Sequence, residues 1–237
     1  MKEIAQIITY SLFAGITVFF GGLLGKVFEK VESGPIKDNV VHGAVAFGGG
    51  ILIAAVAFVL TPKAIDLFAI QYISIIFLSG AFSFFLIDRY LEQKGGAAAQ
   101  LMAMLMDFIP EAIALGAVFA RNRQLGLLLA VFIGLQNFPE SFNAYSDLRK
   151  SGFASNKILL IFLPLSLIGI FAALLGVYLL TDSPKLIAAL MLFSAGGILY
   201  LIFQDIAPLS KMKNHWLPAL GATIGFLVGM IGTKILG

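Results

Sequence analysis

The chain lacks cysteine and carries few charges. Among its 237 residues there is no Cys, and only 12% are Asp, Glu, Lys or Arg. The absence of Cys excludes disulfides, thiolate metal ligands and cysteine nucleophiles. The formal net charge of +3 is too small to indicate binding to nucleic acid.

Apolar residues dominate the composition. They make up 59% of the chain, and the mean hydropathy is +0.98. Soluble domains carry about 25% charged residues, because a globular core needs a polar surface around it. A bilayer removes that need. The sequence therefore predicts an integral membrane protein in which residues 1–237 form a single transmembrane domain.

Eight apolar stretches are long enough to cross a bilayer, which takes about 20 helical residues. All eight are predicted to be helices, because lipid offers the backbone no hydrogen-bond partners. The predicted fold is thus an all-α polytopic membrane protein whose charged residues lie mostly between the spans. The predicted spans are residues 4–25, 40–60, 68–87, 98–120, 125–144, 158–180, 185–206 and 217–236.

Basic residues are unevenly distributed between the two predicted sides of the membrane. Of the 16 Lys and Arg residues, ten fall on one side and six on the other. Because cytoplasmic loops are enriched in Lys and Arg, we expect a cell (inner or plasma) membrane protein with both termini outside the cytoplasm. The ten are Lys26, Lys30, Lys37, Arg89, Lys94, Arg149, Lys150, Lys157, Lys211 and Lys213.

The second and seventh spans share a pattern. A Phe at 47 begins a Gly-rich run that reaches Pro62, and a Phe at 193 begins a similar run that reaches Pro208, each fifteen residues on. In a chain of eight spans these two cross the membrane in opposite directions. The pattern predicts an inverted repeat, a common plan among transporters.

Two acidic motifs lie inside the fourth and fifth spans, Asp107-Phe-Ile-Pro-Glu111 and Gln136-Asn-Phe-Pro-Glu140. Each consists of a polar residue, two further residues, Pro and Glu. An ionised carboxylate at this depth costs several kcal/mol on insertion scales. Three such carboxylates therefore indicate a cation, a proton or buried partners.

The spacing of these residues predicts an oxygen-rich cluster. Residues four apart share a helix face; Asn143 extends the stripe on span five, and Asn137 lies beside it. Each Pro also frees a backbone carbonyl, that of Met106 or Leu135. Oxygen ligands suit cations such as Mg, Mn, Fe(II) or Zn. The alternative is a polar clamp between helices in which the carboxyls are protonated.

Two further polar residues lie near the end of the seventh span. Gln204 and Asp205 stand just before Pro208. They either guide an ion at the mouth of a pathway or mark the edge of the membrane.

These residues resemble the ZIP (Zrt/Irt-like protein) metal transporter family, and most closely its GufA-like prokaryotic branch. The resemblance rests on the paired motifs, on the Gly-rich second and seventh spans, on Phe-Leu-Ile-Asp88-Arg89 and on Gln204-Asp205-Ile-Ala-Pro208. It implies a 3+2+3 arrangement of helices, a divalent metal ion as substrate with no required cofactor, inward flux and a homodimer.

The resemblance also implies the ligands, with three departures. The family's ligand positions align with Asp107, Glu111, Gln136, Asn137 and Glu140. An Asn of the family pattern aligns with Phe108, a Glu before Pro in span six aligns with Leu163, and a Met in span two aligns with Leu52. The resemblance therefore implies one oxygen-dominated site without histidine.

The function predicted from the sequence is transport of divalent cations of the Zn/Fe/Mn/Co/Cd class. The cation would bind at the midplane between spans four and five, and alternating access would expose it to each side. No enzyme activity is predicted. The alternatives are a protein of the same fold that senses metal or transports another substrate, and an intramembrane hydrolase that uses paired carboxylates.

Overall fold

A computed structural model describes residues 2–31, 34–212 and 216–236, and all the regular structure in these ranges is helical. Two five-residue π-helical segments, Val56–Leu60 and Ile202–Ile206, join α2 to α3 and α8 to α9. The α-helices are α1 (Lys2–Glu29), α2 (Pro35–Ala55), α3 (Pro62–Leu67), α4 (Ile70–Lys94), α5 (Gly96–Phe119), α6 (Arg123–Lys150), α7 (Ser155–Leu180), α8 (Pro184–Leu201), α9 (Ala207–Ser210) and α10 (Leu217–Leu236).

The helices confirm the predicted all-α membrane architecture. Within the described part of the chain, seven helical units are long and apolar enough to cross a bilayer. Helix α5, with 24 residues, has the length required for the remaining predicted span. The protein is therefore a multi-pass membrane protein. Of the basic residues used to predict orientation, Lys213 lies outside the described residues.

Several helices extend past the predicted span edges. Helix α4 remains helical to Lys94, seven residues beyond the predicted end of its span at residue 87. Helix α6 likewise continues to Lys150, six residues beyond its predicted end. A helix that continues through the interface keeps its backbone hydrogen-bonded. As a result, acidic residues near these ends lie on rigid helices.

The helices fall into two groups. In the first, α1 and α5 each pack against α6 and α7. In the second, α2 pairs with α10 and α4 pairs with α8. The groups meet where α6 packs against α2 and α5 packs against α8. The two helices that carry the Pro-Glu motifs, α5 and α6, therefore lie at the boundary between the two groups.

The predicted repeat is visible in backbone geometry. A π-helical segment begins nine residues after Phe47 in the second span and nine residues after Phe193 in the seventh. Each segment leads to its proline, Pro62 or Pro208. Single π-turns within α-helices are rare and concentrate at functional positions, so their matched placement supports the repeat.

The repeat extends to the partner helices through four glycines. Each lies so close to the neighbouring backbone that an added Cβ would clash with it, which is a common way for membrane helices to pack. The α2–α10 contacts thereby mirror the α8–α4 contacts. The four pairs are Gly50 with Ala222, Gly225 with Phe47, Gly196 with Phe77, and Gly80 with Phe193.

Gly95 makes the turn between α4 and α5 very short. Its φ of 61° lies in the left-handed region, where glycine carries no Cβ penalty. Helix α4 ends at Lys94 and α5 begins at Gly96. This turn brings the acidic end of α4 close to the first half of α5, which precedes Asp107.

Candidate metal-binding site

The polar faces of the two motifs meet. The Nε2 atom of Gln136 on α6 donates a hydrogen bond of 2.5 Å to Oε2 of Glu111 on α5. Both side chains are fully buried, with 0% exposure. The stripes predicted on spans four and five therefore face each other.

Two more carboxyl groups lie beside this pair. Asp107 is 6% exposed, and its Oδ1 accepts a hydrogen bond of 2.8 Å from the backbone N–H of Phe108. Glu140 is partly buried and lies within electrostatic range of both Asp107 and Glu111. Three acidic side chains thus converge from two helices in a region that excludes most water.

Three oxygens at the centre of this group are buried without a hydrogen-bond donor. They are Oε1 of Glu111, Oε1 of Gln136 and Oε1 of Glu140. Buried polar atoms nearly always have partners, and an unpaired one costs about 1–3 kcal/mol. Oxygen acceptors without donors are atoms of the kind that bind a cation.

The carboxylates are not yet arranged as a closed metal-ligand set. Among the described residues, no group of three or more His, Cys, Asp or Glu side chains is close enough together to hold a metal ion. One oxygen of Glu111 and one of Asp107 are engaged in the hydrogen bonds given above. A bound cation would have to draw these side chains together.

The two predicted asparagines have different surroundings. Asn137 is 3% exposed, and its Nδ2 donates a hydrogen bond of 3.2 Å to the carbonyl of Ala14 on α1. Its amide group therefore ties α6 to α1. Asn143 is partly exposed and donates through Nδ2 to Oδ2 of Asp147 at 3.3 Å.

A cavity of about 490 Å³ leads from this group to one end of the helices. Its walls come from α2, α4, α5, α6, the end of α8, the π-helical segment that follows it, and α9. None of the described residues that line it is Lys, Arg or His. We call it the acidic cavity. Its polar side chains are Asp88, Glu92, Asp107, Glu140, Asn143, Asp147 and Asp205.

The structure separates the two predicted pathway residues. Asp205 lines the acidic cavity, whereas Gln204 is exposed and is not one of its lining residues. Across the cavity from Asp205, Oδ2 of Asp88 accepts a hydrogen bond of 2.8 Å from the hydroxyl of Tyr200. The bond ties the acidic end of α4 to α8.

Three of the cavity's acidic residues, Asp88, Glu92 and Asp147, were not predicted as site residues, because they lie beyond the ends of the predicted spans. Helical spacing was the signal that could have found them. Glu92 follows Asp88 by four residues, and Asp147 continues the stripe that runs from Gln136 through Glu140.

Two curated proteins, both named as zinc transporters, are similar in sequence to the chain. The chain is 31% identical over 139 residues to "Zinc transporter GufA" of Myxococcus xanthus, covering 58% of this chain and 55% of that protein. It is 25% identical over 158 residues to "Zinc transporter ZIP13" of Pongo abelii, covering 62% of this chain and 48% of that protein. The chain is therefore similar to zinc transporters of the ZIP family. No family model matches it.

The sequence similarity covers only part of each protein. The chain spans about half the length of these ZIP relatives. The resemblance inferred from the sequence, including the link to a GufA-like protein, is confirmed. Both relatives are named as transporters, which agrees with the prediction that the chain is not an enzyme.

The residues that depart from the ZIP pattern have structural roles. Phe108 is 2% exposed, and its ring packs on Gly169 of α7. Leu163 is 44% exposed on the outside of α7, and Leu52 is 1% exposed in the main apolar core. None of the three adds a polar atom to the Glu111–Gln136 group.

Proposed function

We propose that the chain transports divalent metal cations across a membrane. The observation that carries the proposal is the set of three unpartnered buried oxygens on Glu111, Gln136 and Glu140, where the two Pro-Glu motifs meet. In the proposed site, Asp107, Glu111 and Glu140 supply charge, while Gln136 and Asn137 supply neutral oxygens. Within the proposed Zn/Fe/Mn/Co/Cd class, this oxygen-dominated set suits Mn and Fe(II) best, and both relatives are named as zinc transporters.

The acidic cavity supplies one half of the route. It joins Asp107 and Glu140 to the end of the helices that carries the α4–α5 and α6–α7 turns. With the termini outside the cytoplasm, as the basic residues predict, this end faces inward. The arrangement corresponds to a site open on the cytoplasmic side.

Alternating access requires the site to become open on the other side. The group formed by α1, α5, α6 and α7 carries every proposed ligand, and α2, α4, α8 and α10 form its surroundings. We propose that the first group moves against the second. The family resemblance further implies a homodimer; α4 and α10, in which only 11% of the residues of the apolar window are buried, have exposed surface available for one.

Uptake by proteoliposomes tests the proposal. Purified protein is reconstituted around a metal-sensitive dye, and Mn, Fe, Co, Zn and Cd are added outside in turn. Wild type should raise the signal above that of empty vesicles for at least one metal. Glu111→Gln and Glu140→Gln should each reduce uptake about a hundredfold or more, because loss of even an outer partner of a metal ligand costs 10–100-fold.

Asp66→Asn is the matched control, since it removes an exposed carboxylate on α3, away from the cavity. It should leave uptake unchanged. Absence of uptake by wild type for all five metals would refute the transport proposal. Uptake that survives both glutamate substitutions would instead refute the site.

A further inference from the structure

A second cavity, of about 590 Å³, lies at the opposite end of the same helices. Every side chain that lines it is aliphatic or aromatic, and we call it the apolar crevice. It lies between the two helix groups, with Ile113 of α5 and Leu179 of α7 on one side. Ile76 of α4 and Phe193 of α8 form the other side.

The mouth of the crevice faces outward, toward the bilayer. Leu175 and Leu179 are 53% and 70% exposed, and Leu186 is 54% exposed. The volume falls within the range of about 300–1,000 Å³ that is typical of small-ligand pockets. With no polar atom to bind water, the crevice favours a hydrocarbon chain as occupant.

Basic residues border the mouth at the membrane surface. Nη1 of Arg121 donates a hydrogen bond of 2.7 Å to the carbonyl of Thr181, which directly follows the lining residue Leu180. Lys185 is exposed and directly precedes the lining residue Leu186. Both cationic groups are therefore positioned next to the crevice.

The other charges at this end leave a positive balance. Arg123, which is basic, begins α6, and Asp182, which is acidic, lies in the α7–α8 turn; Lys2, Glu3 and Lys234 at the same end add one net positive charge. Lys63 and Asp66 on the neighbouring α3 offset each other. The rim therefore carries cationic groups at headgroup depth directly beside an apolar space, which is the arrangement that complements an anionic phospholipid.

We propose that the apolar crevice is a binding site for one anionic glycerophospholipid. One acyl chain lies between α5–α7 and α4–α8, and the phosphate of the headgroup contacts Lys185 and Arg121. This lipid is retained at a fixed place between the two helix groups, unlike the exchanging lipids around them.

Native mass spectrometry of protein released from vesicles tests the site. The vesicles contain phosphatidylcholine with phosphatidylglycerol as a minor component. Wild type should retain one phosphatidylglycerol molecule more strongly than phosphatidylcholine. Ala189→Phe places a ring among the crevice residues and should abolish that retention, whereas Ala219→Phe, on the exposed face of α10, should not. Equal retention by the two variants would overturn the proposal.

A charge variant tests the headgroup without altering the apolar walls. Lys185→Gln should lower the ratio of retained phosphatidylglycerol to phosphatidylcholine about fivefold, the effect expected of one basic residue near an anionic headgroup. Lys234→Gln removes an exposed basic residue at the end of α10 and should leave the ratio unchanged. A ratio that Lys185→Gln does not change would show that the rim does not recognise the headgroup.

Discussion

The acidic cavity and the apolar crevice lie between the same two helix groups, at opposite ends of them. Along α5 the cavity reaches Asp107, and the crevice begins at Ile113, less than two turns further on. On α4 the cavity is lined by Asp88 and Glu92, whereas the crevice is lined by Ile76. One space suits water and cations, and the other suits only hydrocarbon.

The difference shows where the barrier to an ion lies. A cation at Glu140 has carboxylates toward one side of the membrane, whereas on the other side, beyond Glu111 and Gln136, the crevice is lined by apolar side chains. Moving a charge through the apolar end would cost several kcal/mol. This arrangement is therefore open to ions from one side, and transport requires the apolar contacts of the other side to separate.

The largest expected effect comes from cysteine accessibility, which the absence of native Cys makes simple to measure. In detergent, a charged maleimide should modify Asn143→Cys at least about a hundredfold faster than Ala189→Cys. A water-soluble reagent reaches a thiol among polar side chains far more readily than one among apolar side chains, where the thiol also stays protonated. Both positions are partly buried, so they form a matched pair.

Asp66→Cys, exposed at the crevice end, serves as a fully reactive reference for that side. Similar rates at Asn143→Cys and Ala189→Cys would show that the two spaces do not differ in access to water.

An intermediate effect is expected for Gln136→Leu. It removes the donor to Glu111 and leaves a second buried carboxyl oxygen unpaired, but it also removes the unpaired Oε1 of Gln136, so the free energy of unfolding should fall by about 1 kcal/mol. The midpoint of unfolding in a denaturing-detergent titration measures this. Gln93→Leu, at an exposed position on α4, should leave the midpoint unchanged. An unchanged midpoint for Gln136→Leu would mean that the hydrogen bond contributes nothing to stability.

The smallest effect is expected from the outer part of the acidic cavity. Glu92→Gln should lower the initial rate of metal uptake by about threefold at low ionic strength, because one charge fewer attracts cations to the site. The difference should shrink in about 0.15 M salt, where the Debye length is about 8 Å. If salt does not change the ratio of the two rates, Glu92 acts by a contact and not through its field.

The architecture was predictable because a bilayer imposes simple rules. Apolar length set the spans, and the Phe47 and Phe193 runs indicated a repeat that the matched π-helical segments now support. Span edges were less predictable. The sequence changes from apolar to charged residues where the hydrocarbon layer ends, but a helix need not end there. Helix α4 continues to Lys94 and ends only at Gly95.

For the candidate site, the sequence indicated which residues share a helix face better than it indicated which atoms contact each other. Four-residue spacing placed Asp107 with Glu111 and Gln136 with Glu140, but it could not show which atoms pair across the helices. The orientation of Asn137 toward Ala14 depends on the position of α1, more than a hundred residues away in the chain. Apart from Phe193, which begins the Gly-rich run of the seventh span, the residues of the crevice are ordinary Leu, Ile and Ala, so no motif marked them.

The hydrogen bond between Gln136 and Glu111 bears on the release of an ion as well as on its capture. If binding requires an ion to displace that bond, ions that hold oxygen weakly gain too little to remain. When a bound ion leaves, the bond can form again, and the empty site recovers part of the lost interaction. The amide then limits residence time, so a site rich in carboxylates need not become a trap.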